Sequence, residues 1–157
     1  GIKGPTVMKG YWNNPVATDE VMRNGWFITG DIGMLDETGF LIILDRAKDI
    51  VIRGGENIGC AEVEYAFHEH SAVSEVSVYG IPDERLGEAL CATVMIRPKE
   101  KVSEKTLKDF LRDRIAAFKV PEKIFLQDEQ LPRGSTGKIA KKQIRSETIE
   151  KLQTSAI

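Results

Sequence analysis

The stretch WFITGDIGMLDETGFLIILDRAKDIVIRGGENI, residues 26–58, is the most informative part of the sequence, and the spacing of apolar residues changes just after it. Within it, WFIT, FLIILD and DIVIR are short apolar runs typical of strands, and DETG at 36–39 is a turn signal. From about residue 60 to 70, apolar side chains recur with the period of a helix instead. The stretch therefore predicts short strands that lead into a region containing both strands and helices.

The residues that follow predict further strands and helices. VSEVSVYGI and EALCATVMI, residues 73–81 and 88–96, have the alternate and β-branched residues of paired strands. Ser103 is a candidate N-cap for a helix that we expect Pro121 to end. The apolar stripe of that helix comprises Leu107, Phe110, Leu111, Ile115 and Phe118. The remaining predictions are a strand at EKIFLQ and a last helix over residues 140–152.

These elements predict an α+β fold in two parts. Residues 46–157 form a compact domain of helices packed on a small sheet, whereas residues 1–45 are strands and loops with too few partners for a core of their own. The chain opens GIKGPTVMKG, without an initiator methionine or a helix-start signal, so we expect it to belong to a longer chain. Apolar side chains of the first part, including Trp12, Trp26 and Phe27, then predict self-association or local disorder.

Composition excludes several classes of protein. The 157 residues are 41% hydrophobic and 29% charged, as in globular proteins. The net charge of −2 and the pI near 5.8 indicate no excess of positive charge that would attract nucleic acid or an anionic membrane. No apolar run approaches the roughly 20 residues of a membrane helix, and the N-terminus lacks a targeting pattern. We therefore expect no nucleic-acid partner and no membrane span.

The two cysteines, Cys60 and Cys91, are far apart in sequence and lack CxxC spacing. This argues against a metal knuckle and against a secreted disulfide framework, and favours a reducing, cytoplasmic setting. Cys60 could be read as a nucleophile, but no base is identified for it, so a buried structural thiol is the better interpretation.

The segment LPRGSTGKIAKK, residues 131–142, combines turn residues with a lysine. It fails as a P-loop, because Gly134 and Gly137 are too close together and Ile139 stands where a magnesium-binding hydroxyl should be. On its own it is either an ordinary turn or part of a ligand site. The neighbouring basic residues are a local site or a solvated helix face; they are Lys138, Lys141, Lys142 and Arg145.

A second candidate site lies in the opening stretch. Asp31 follows the predicted strand WFIT, with the Thr29 hydroxyl beside it, and Arg46 comes where the strand-rich part ends. A carboxylate there can accept the two hydroxyls of a ribose, and a guanidinium can donate to the sugar or a phosphate. Gly54 and Gly55 permit either a hairpin turn or close approach to a ligand.

Six blocks, in this order and spacing, resemble the C-terminal third of adenylate-forming enzymes, the superfamily of acyl- and aryl-CoA ligases. The blocks are GYWNNPVATDE, GWFITGDIG, DRAKDIVIRGGENI, VYGIPDERLGEA, FKVPEKI and LPRGSTGKIAKKQIR. The resemblance covers the whole chain and implies that residues 46–157 are the mobile lid domain of such an enzyme. Residues 1–45 are then the β-rich end of its large N-terminal AMP-binding domain.

The resemblance also implies a two-step reaction. A carboxylic acid and ATP give an acyl-adenylate and pyrophosphate, and the CoA thiol then displaces AMP. Asp31, Arg46 and Thr29 are implied to bind the nucleotide, and Lys138 to act as the catalytic residue that bridges the substrate carboxylate and the nucleotide. Lys48 is implied to be the hinge of the lid domain.

After the lid turns, Gly54, Gly55 and Glu56 are implied to line the pantetheine channel of CoA. Cys60 departs from the family's pattern, since many relatives have proline there. The phosphate loop, the acyl pocket and the usual magnesium ligand of the family are expected upstream of Gly1, so the chain alone is expected to be inactive, and the acid cannot be named. Two alternatives stay open: a binding module of the same fold, and an adenylating enzyme with a carrier-protein acceptor.

Overall fold

The protein is described by a computed structural model covering residues 1–154, and it divides into two compact units. The first unit is Gly1–Lys48 and the second begins at Asp49. This division falls slightly after the boundary at residue 46 that the sequence predicts. The predicted α+β class is confirmed, since helices and strands occur together in the second unit.

The first unit begins with a helix and a short strand that the sequence does not predict. Helix α1, Pro15–Val21, starts at Asn14, whose side chain accepts a hydrogen bond from the Ala17 backbone N–H at 3.1 Å. Strands β1, Met22–Arg23, and β2, Trp26–Phe27, then form an antiparallel pair. The predicted strand WFIT is thus wrong in length, because only its first two residues are in a strand.

The second hairpin of this unit joins β3, Asp31–Leu35, to β4, Leu41–Arg46. The predicted turn at DETG is confirmed: Asp36 Oδ1 accepts hydrogen bonds from the backbone N–H groups of Thr38 and Phe40, each at 2.9 Å. Within residues 1–48, all of which the structure describes, no residue is buried.

The second unit is built on a five-stranded sheet. Its strands are β5, Ile50–Arg53; β6, Glu56–Gly59; β7, Val73–Asp83; β8, Gly87–Ile96; and β9, Lys123–Gln127. The order is β6-β5-β8-β7, and β9 pairs with β8 in parallel. The predicted pairing of β7 with β8 is confirmed, and the two strands are antiparallel.

Three helices cover the sheet: α2, Cys60–His68; α3, Glu104–Arg112; and α4, Lys141–Thr154. The N-cap of α3 is confirmed, since Ser103 Oγ accepts from the Thr106 N–H at 3.1 Å. The predicted end of this helix at Pro121 is wrong. The backbone N–H groups of Arg114 and Ile115 both donate to the Leu111 carbonyl and close the last turn earlier, so Ile115 and Phe118 lie beyond the helix.

The sheet separates two hydrophobic clusters. The larger one lies under α2 and α3 and includes Val63, Phe67, Val76 and Leu107. The smaller one involves α4, and its buried members are Tyr79, Ile81, Ala89, Cys91, Leu131 and Ile144. Strand β7 contributes to both because its side chains alternate between the two faces of the sheet, and this fixes which residues lie near α4.

Candidate functional site

Asp31 and Arg46 form an ion pair at the open end of the β3–β4 hairpin, where the register places them opposite each other. Arg46 Nε donates to Asp31 Oδ1 at 3.0 Å. Thr29 Oγ1 accepts from the Asp31 backbone N–H at 3.1 Å, and the Gly30 carbonyl accepts from the Ala47 N–H at 2.8 Å. Three residues predicted to bind a nucleotide therefore lie in one cluster.

The position of Asp31 differs from the prediction, because it begins β3 instead of following a strand that includes Thr29. The Arg46 guanidinium, through its hydrogen bond, holds the pKa of the Asp31 carboxyl below its usual value of 3.8. The Asp31 side chain is still 28% exposed. An ionised, accessible carboxylate of this kind only accepts hydrogen bonds, as the recognition of two hydroxyl groups requires.

Lys48 lies in a single 3₁₀ turn, Ala47–Asp49, and is exposed. The division between the two compact units falls directly after it. The side chain is therefore placed at a junction of the chain, while its role as a hinge stays a prediction.

The pair Gly54–Gly55 forms the two-residue loop of a hairpin, since Arg53 pairs with Glu56 on either side of it. Both glycines have positive φ, 59° and 89°, which is the backbone of a type I′ turn. The Gly54 N–H donates to the Leu86 carbonyl at 2.8 Å. The hairpin interpretation is thus confirmed; Glu56 is exposed beside the turn, and its part in a CoA channel stays a prediction.

Lys138 lies on a small loop that is closed by a bridge between Arg133 and Ile139. The Gly134 N–H donates to the Lys138 carbonyl at 2.8 Å, and the Gly137 N–H donates to the Gly134 carbonyl at 3.0 Å. These N–H groups are used within the turn, so they cannot surround a phosphate as in a P-loop. The Lys138 side chain is exposed.

The basic residues after this loop do not form one solvated face. Lys141 Nζ pairs with Glu64 Oε1 at 2.9 Å, and Arg145 Nε donates to the Gly80 carbonyl at 2.6 Å. Burial disfavours the charged form of Lys141, but Cys60 and Glu64 outweigh it, so the pKa of Lys141 is raised. Two of the four basic side chains therefore attach α4 to the rest of its unit.

A buried hydroxyl network also fixes α4. The Tyr79 hydroxyl lies 2.7 Å from Thr93 Oγ1 and 2.7 Å from Thr148 Oγ1. These residues come from β7, β8 and α4, and all three are buried. The loop that carries Lys138 thus leads directly into a helix that is bound firmly to the sheet.

Both cysteines are buried and neither is in a disulfide. Cys60 belongs to the larger hydrophobic cluster, in agreement with a structural thiol. Burial raises the pKa of the Cys91 thiol to about 11, which keeps it protonated near neutral pH. Across residues 1–154, no three His, Cys, Asp or Glu side chains are arranged to hold a metal ion, and no described helix is long and apolar enough to cross a membrane.

Long-range contacts that were not predicted hold the site in place. Glu75 and Tyr79 on β7 bind the segments before and after Lys138, but nothing in the sequence marks their long-range partners. The hairpin turn at Asn24-Gly25, by contrast, had a recognisable signal, because Asn-Gly is the favoured two-residue turn.

Residues 62–138 match the family model described as the AMP-binding enzyme C-terminal domain, and the chain belongs to this family of adenylate-forming enzymes. The chain is 46% identical to a long-chain-fatty-acid–CoA ligase of Bacillus subtilis. The match covers 95% of this chain and 26% of that ligase.

Two solved structures have the same fold. An o-succinylbenzoate CoA synthetase of Bacillus subtilis, in complex with its acyl-adenylate intermediate, is 42% identical with a TM-score of 0.84 over 91% of this chain and 29% of that one. An amide bond synthetase of Marinactinospora thermotolerans is 34% identical with a TM-score of 0.84 over 93% and 29%. The chain thus spans under a third of the length of these relatives.

Proposed function

We propose that this chain supplies the lid domain and part of the ATP site of an ATP-dependent acyl-CoA ligase. In the first half-reaction, a carboxylate oxygen of the acid attacks the α-phosphorus of ATP and pyrophosphate leaves. In the second, the CoA thiol attacks the acyl carbon and AMP leaves, which gives the thioester. The observation that carries this proposal is the match of almost the whole chain to curated CoA ligases.

The geometry of the first unit supports a role in holding ATP. Asp31 is held as a carboxylate by Arg46 and remains accessible, so it can accept hydrogen bonds from the two ribose hydroxyls. Arg46 has further N–H groups, because only its Nε is needed for the bond to Asp31, and these can donate to the sugar or a phosphate.

Lys138 is proposed to act on the first half-reaction. Its exposed ammonium group, on a loop held by backbone hydrogen bonds, can offset the negative charge that gathers around the α-phosphorus. A lysine suits this task because its charge is compact and its side chain is long.

Lys48 is the proposed hinge, and the turn of Gly54 and Gly55, with Glu56, is proposed to line the path of CoA. The end of the first compact unit at Lys48 supports the first idea. Magnesium is expected with ATP, but no step of this proposal is assigned to it and no residue of this segment is proposed to bind it. Both cysteines are buried and neither is in a disulfide, which supports a reducing, cytoplasmic setting.

The test uses the complete enzyme and a panel of fatty and aryl acids. Acid-dependent exchange of pyrophosphate into ATP is expected with at least one acid, followed by formation of the acyl-CoA when CoA is added. ATP binding without exchange for any acid would instead favour a binding module of this fold.

A second candidate differs only in the acceptor. Similarity to an amide bond synthetase favours considering an acceptor other than CoA, such as an amine or a carrier-protein thiol. The two readings are separated by isolating the enzyme with its acyl-adenylate and adding CoA, a carrier protein or a simple amine in parallel. The proposed ligase transfers the acyl group fastest to CoA.

A further inference from the structure

We propose that Glu75 and Arg133 are positioning residues, which together hold the loop of Lys138 in one conformation before the nucleotide binds. The effect on catalysis rests on the proposed function above, whereas the effect on the loop does not. Neither residue is among those that the sequence marks as a site, and both act through the backbone of the loop.

A β-bulge directs Glu75 towards this loop. The register of β7 against β8 shifts between Val73 and Glu75, so one extra residue is accommodated there. As a result Val73 and Val76 both belong to the cluster under α2 and α3, although strict alternation would place them on opposite faces. Glu75 then shares the opposite face with Tyr79, where α4 and Leu131 pack.

The Glu75 carboxylate binds the start of the Lys138 segment at two points. Oε2 accepts a hydrogen bond from the backbone N–H of the buried Leu131 at 3.1 Å. Oε1 forms an ion pair with Arg133 Nη2. The side chain of Glu75 is only 15% exposed, so this charged hydrogen bond is less screened than a surface pair.

Arg133 extends the connection to Lys138. While Nη2 donates to Glu75, Nη1 donates to the carbonyl of Gly137 at 2.8 Å. One planar guanidinium therefore joins the sheet to the residue that directly precedes Lys138. Because the fork of a guanidinium is rigid, the two bonds fix the distance between β7 and the tip of the loop.

This arrangement matters because a loop rich in glycine loses much conformational freedom when it becomes ordered. If Glu75 and Arg133 already order the loop, this entropy is lost on folding and not when ATP binds. Lys138 then lies near its working position before the nucleotide arrives. Displacement of a catalytic group by about 1 Å can cost on the order of 100-fold in rate.

Two substitutions test whether the charged contacts of Glu75 and Arg133, and not side-chain packing alone, hold the loop of Lys138. Glu75→Gln keeps the size of the side chain and an acceptor for the Leu131 N–H, but removes the charge. Arg133→Lys keeps a positive charge beside Glu75, but one ammonium cannot reproduce the fork that binds both Glu75 and Gly137. The matched control is Asp109→Asn, which breaks exposed ion pairs on α3 with Lys105 and Arg112.

The first measurement is ¹⁵N relaxation on the 157-residue chain. Both test variants are expected to lower the order parameters of Gly137 and Lys138 from rigid values near 0.85 to below about 0.6, with the rest of the second unit unchanged. Asp109→Asn leaves the loop rigid. Unchanged order at Gly137 and Lys138 in Arg133→Lys overturns the proposal, and this variant also decides the matter if Glu75→Gln does not fold.

The second measurement is single-turnover kinetics in the complete enzyme. Arg133→Lys is expected to slow adenylation on the order of 10-fold to 100-fold, mainly in the maximal rate and less in the ATP dependence, with thioester formation little changed. A disordered loop with normal adenylation refutes the positioning role. A wild-type enzyme that activates no acid refutes the proposed function, while the relaxation result on the loop still stands.

Discussion

At the scale of single residues, the ion pair of Asp31 and Arg46 makes a direct prediction about pH. Arg46→Met removes the guanidinium and keeps a side chain of similar length. The pKa of the Asp31 carboxyl is then expected to rise towards its ordinary value of 3.8, because the main cause of its lowering is lost. The carboxyl carbon shift of Asp31, followed by NMR against pH in the chain, measures this.

The same pKa determines how the contribution of this ion pair to stability depends on pH. Because the folded pKa lies below the unfolded one, the stabilising contribution of the ion pair is present above the unfolded value near 3.8. It is lost as the pH falls through the folded pKa. A carboxyl that titrates identically with and without Arg46 would show that the pair does not persist in solution.

Lys138 gives the second prediction, which applies to the complete enzyme. Lys138→Ala is expected to slow adenylation by about 10²–10³-fold or more, because a donor aimed at developing charge is lost together with a full charge. Thioester formation from supplied acyl-adenylate is expected to change far less. Lys142→Ala, which removes an exposed lysine four residues on, is the control. Equal losses in both steps would assign Lys138 a structural role only.

The candidate residues could be predicted from the sequence when they lie within short, recognisable motifs. Asp31 and Lys138 are recognisable because their neighbours in sequence resemble those of adenylate-forming enzymes. The bonds that orient them are different: Glu75 and Arg133 are 58 residues apart, and only the folded sheet brings them together. Local sequence contains no information on such a pair.

At the scale of elements, the attachment of α4 to the sheet is open to test. Tyr79→Phe leaves the buried hydroxyls of Thr93 and Thr148 without their shared partner. We expect the free energy of unfolding to fall by about 1–3 kcal/mol, the cost of unsatisfied buried polar groups.

Urea denaturation of the chain measures this change. Tyr65→Phe on α2 is the matched control, since that residue is 72% exposed and its hydroxyl is expected to contribute little. A loss no greater for Tyr79→Phe than for Tyr65→Phe would mean that the hydroxyl network does not hold the helix.

Some elements are predicted from the sequence better than others, and the reasons are physical. β7 and β8 were predicted well because a long antiparallel pair requires alternation and β-branched residues over its whole length. The end of α3 was not, because Ile115 and Phe118 continue the helical spacing after the backbone has turned. β3 was missed because its residues, DIGML, include a glycine and an acid, which are rare in strands.

At the scale of the whole molecule, the first unit has an unusual surface. The β3–β4 hairpin exposes apolar side chains on both of its faces, since neighbouring residues of β4 point in opposite directions and Leu41, Ile42, Ile43 and Leu44 are all exposed. Exposed apolar strands tend to associate. We therefore expect the 157-residue chain to self-associate in solution.

Sedimentation velocity over a range of concentrations tests this expectation. Ile43→Lys, at a side chain that is 56% exposed, is expected to shift the chain towards monomer, because a charge is placed on the hairpin surface. Tyr65→Lys, at a residue of the second unit that is 72% exposed, should leave association unchanged. A wild-type chain that is monomeric at every concentration would contradict the prediction.

We propose that one segment serves both half-reactions and that Lys48 is the pivot between its two units. If the backbone at Lys48 must adopt two conformations, restricting it has a larger effect than removing its charge. Lys48→Pro fixes φ near −65° and also restricts Ala47. Lys48→Ala removes the charge and leaves the backbone free.

The most direct measurement is rapid-quench, single-turnover kinetics of both half-reactions in the complete enzyme, for the wild type and these two variants. We expect Lys48→Pro to slow thioester formation much more than adenylation, whereas Lys48→Ala changes both steps only mildly. If proline and alanine give the same modest loss in both steps, the segment does not pivot at Lys48 and the proposed hinge is wrong.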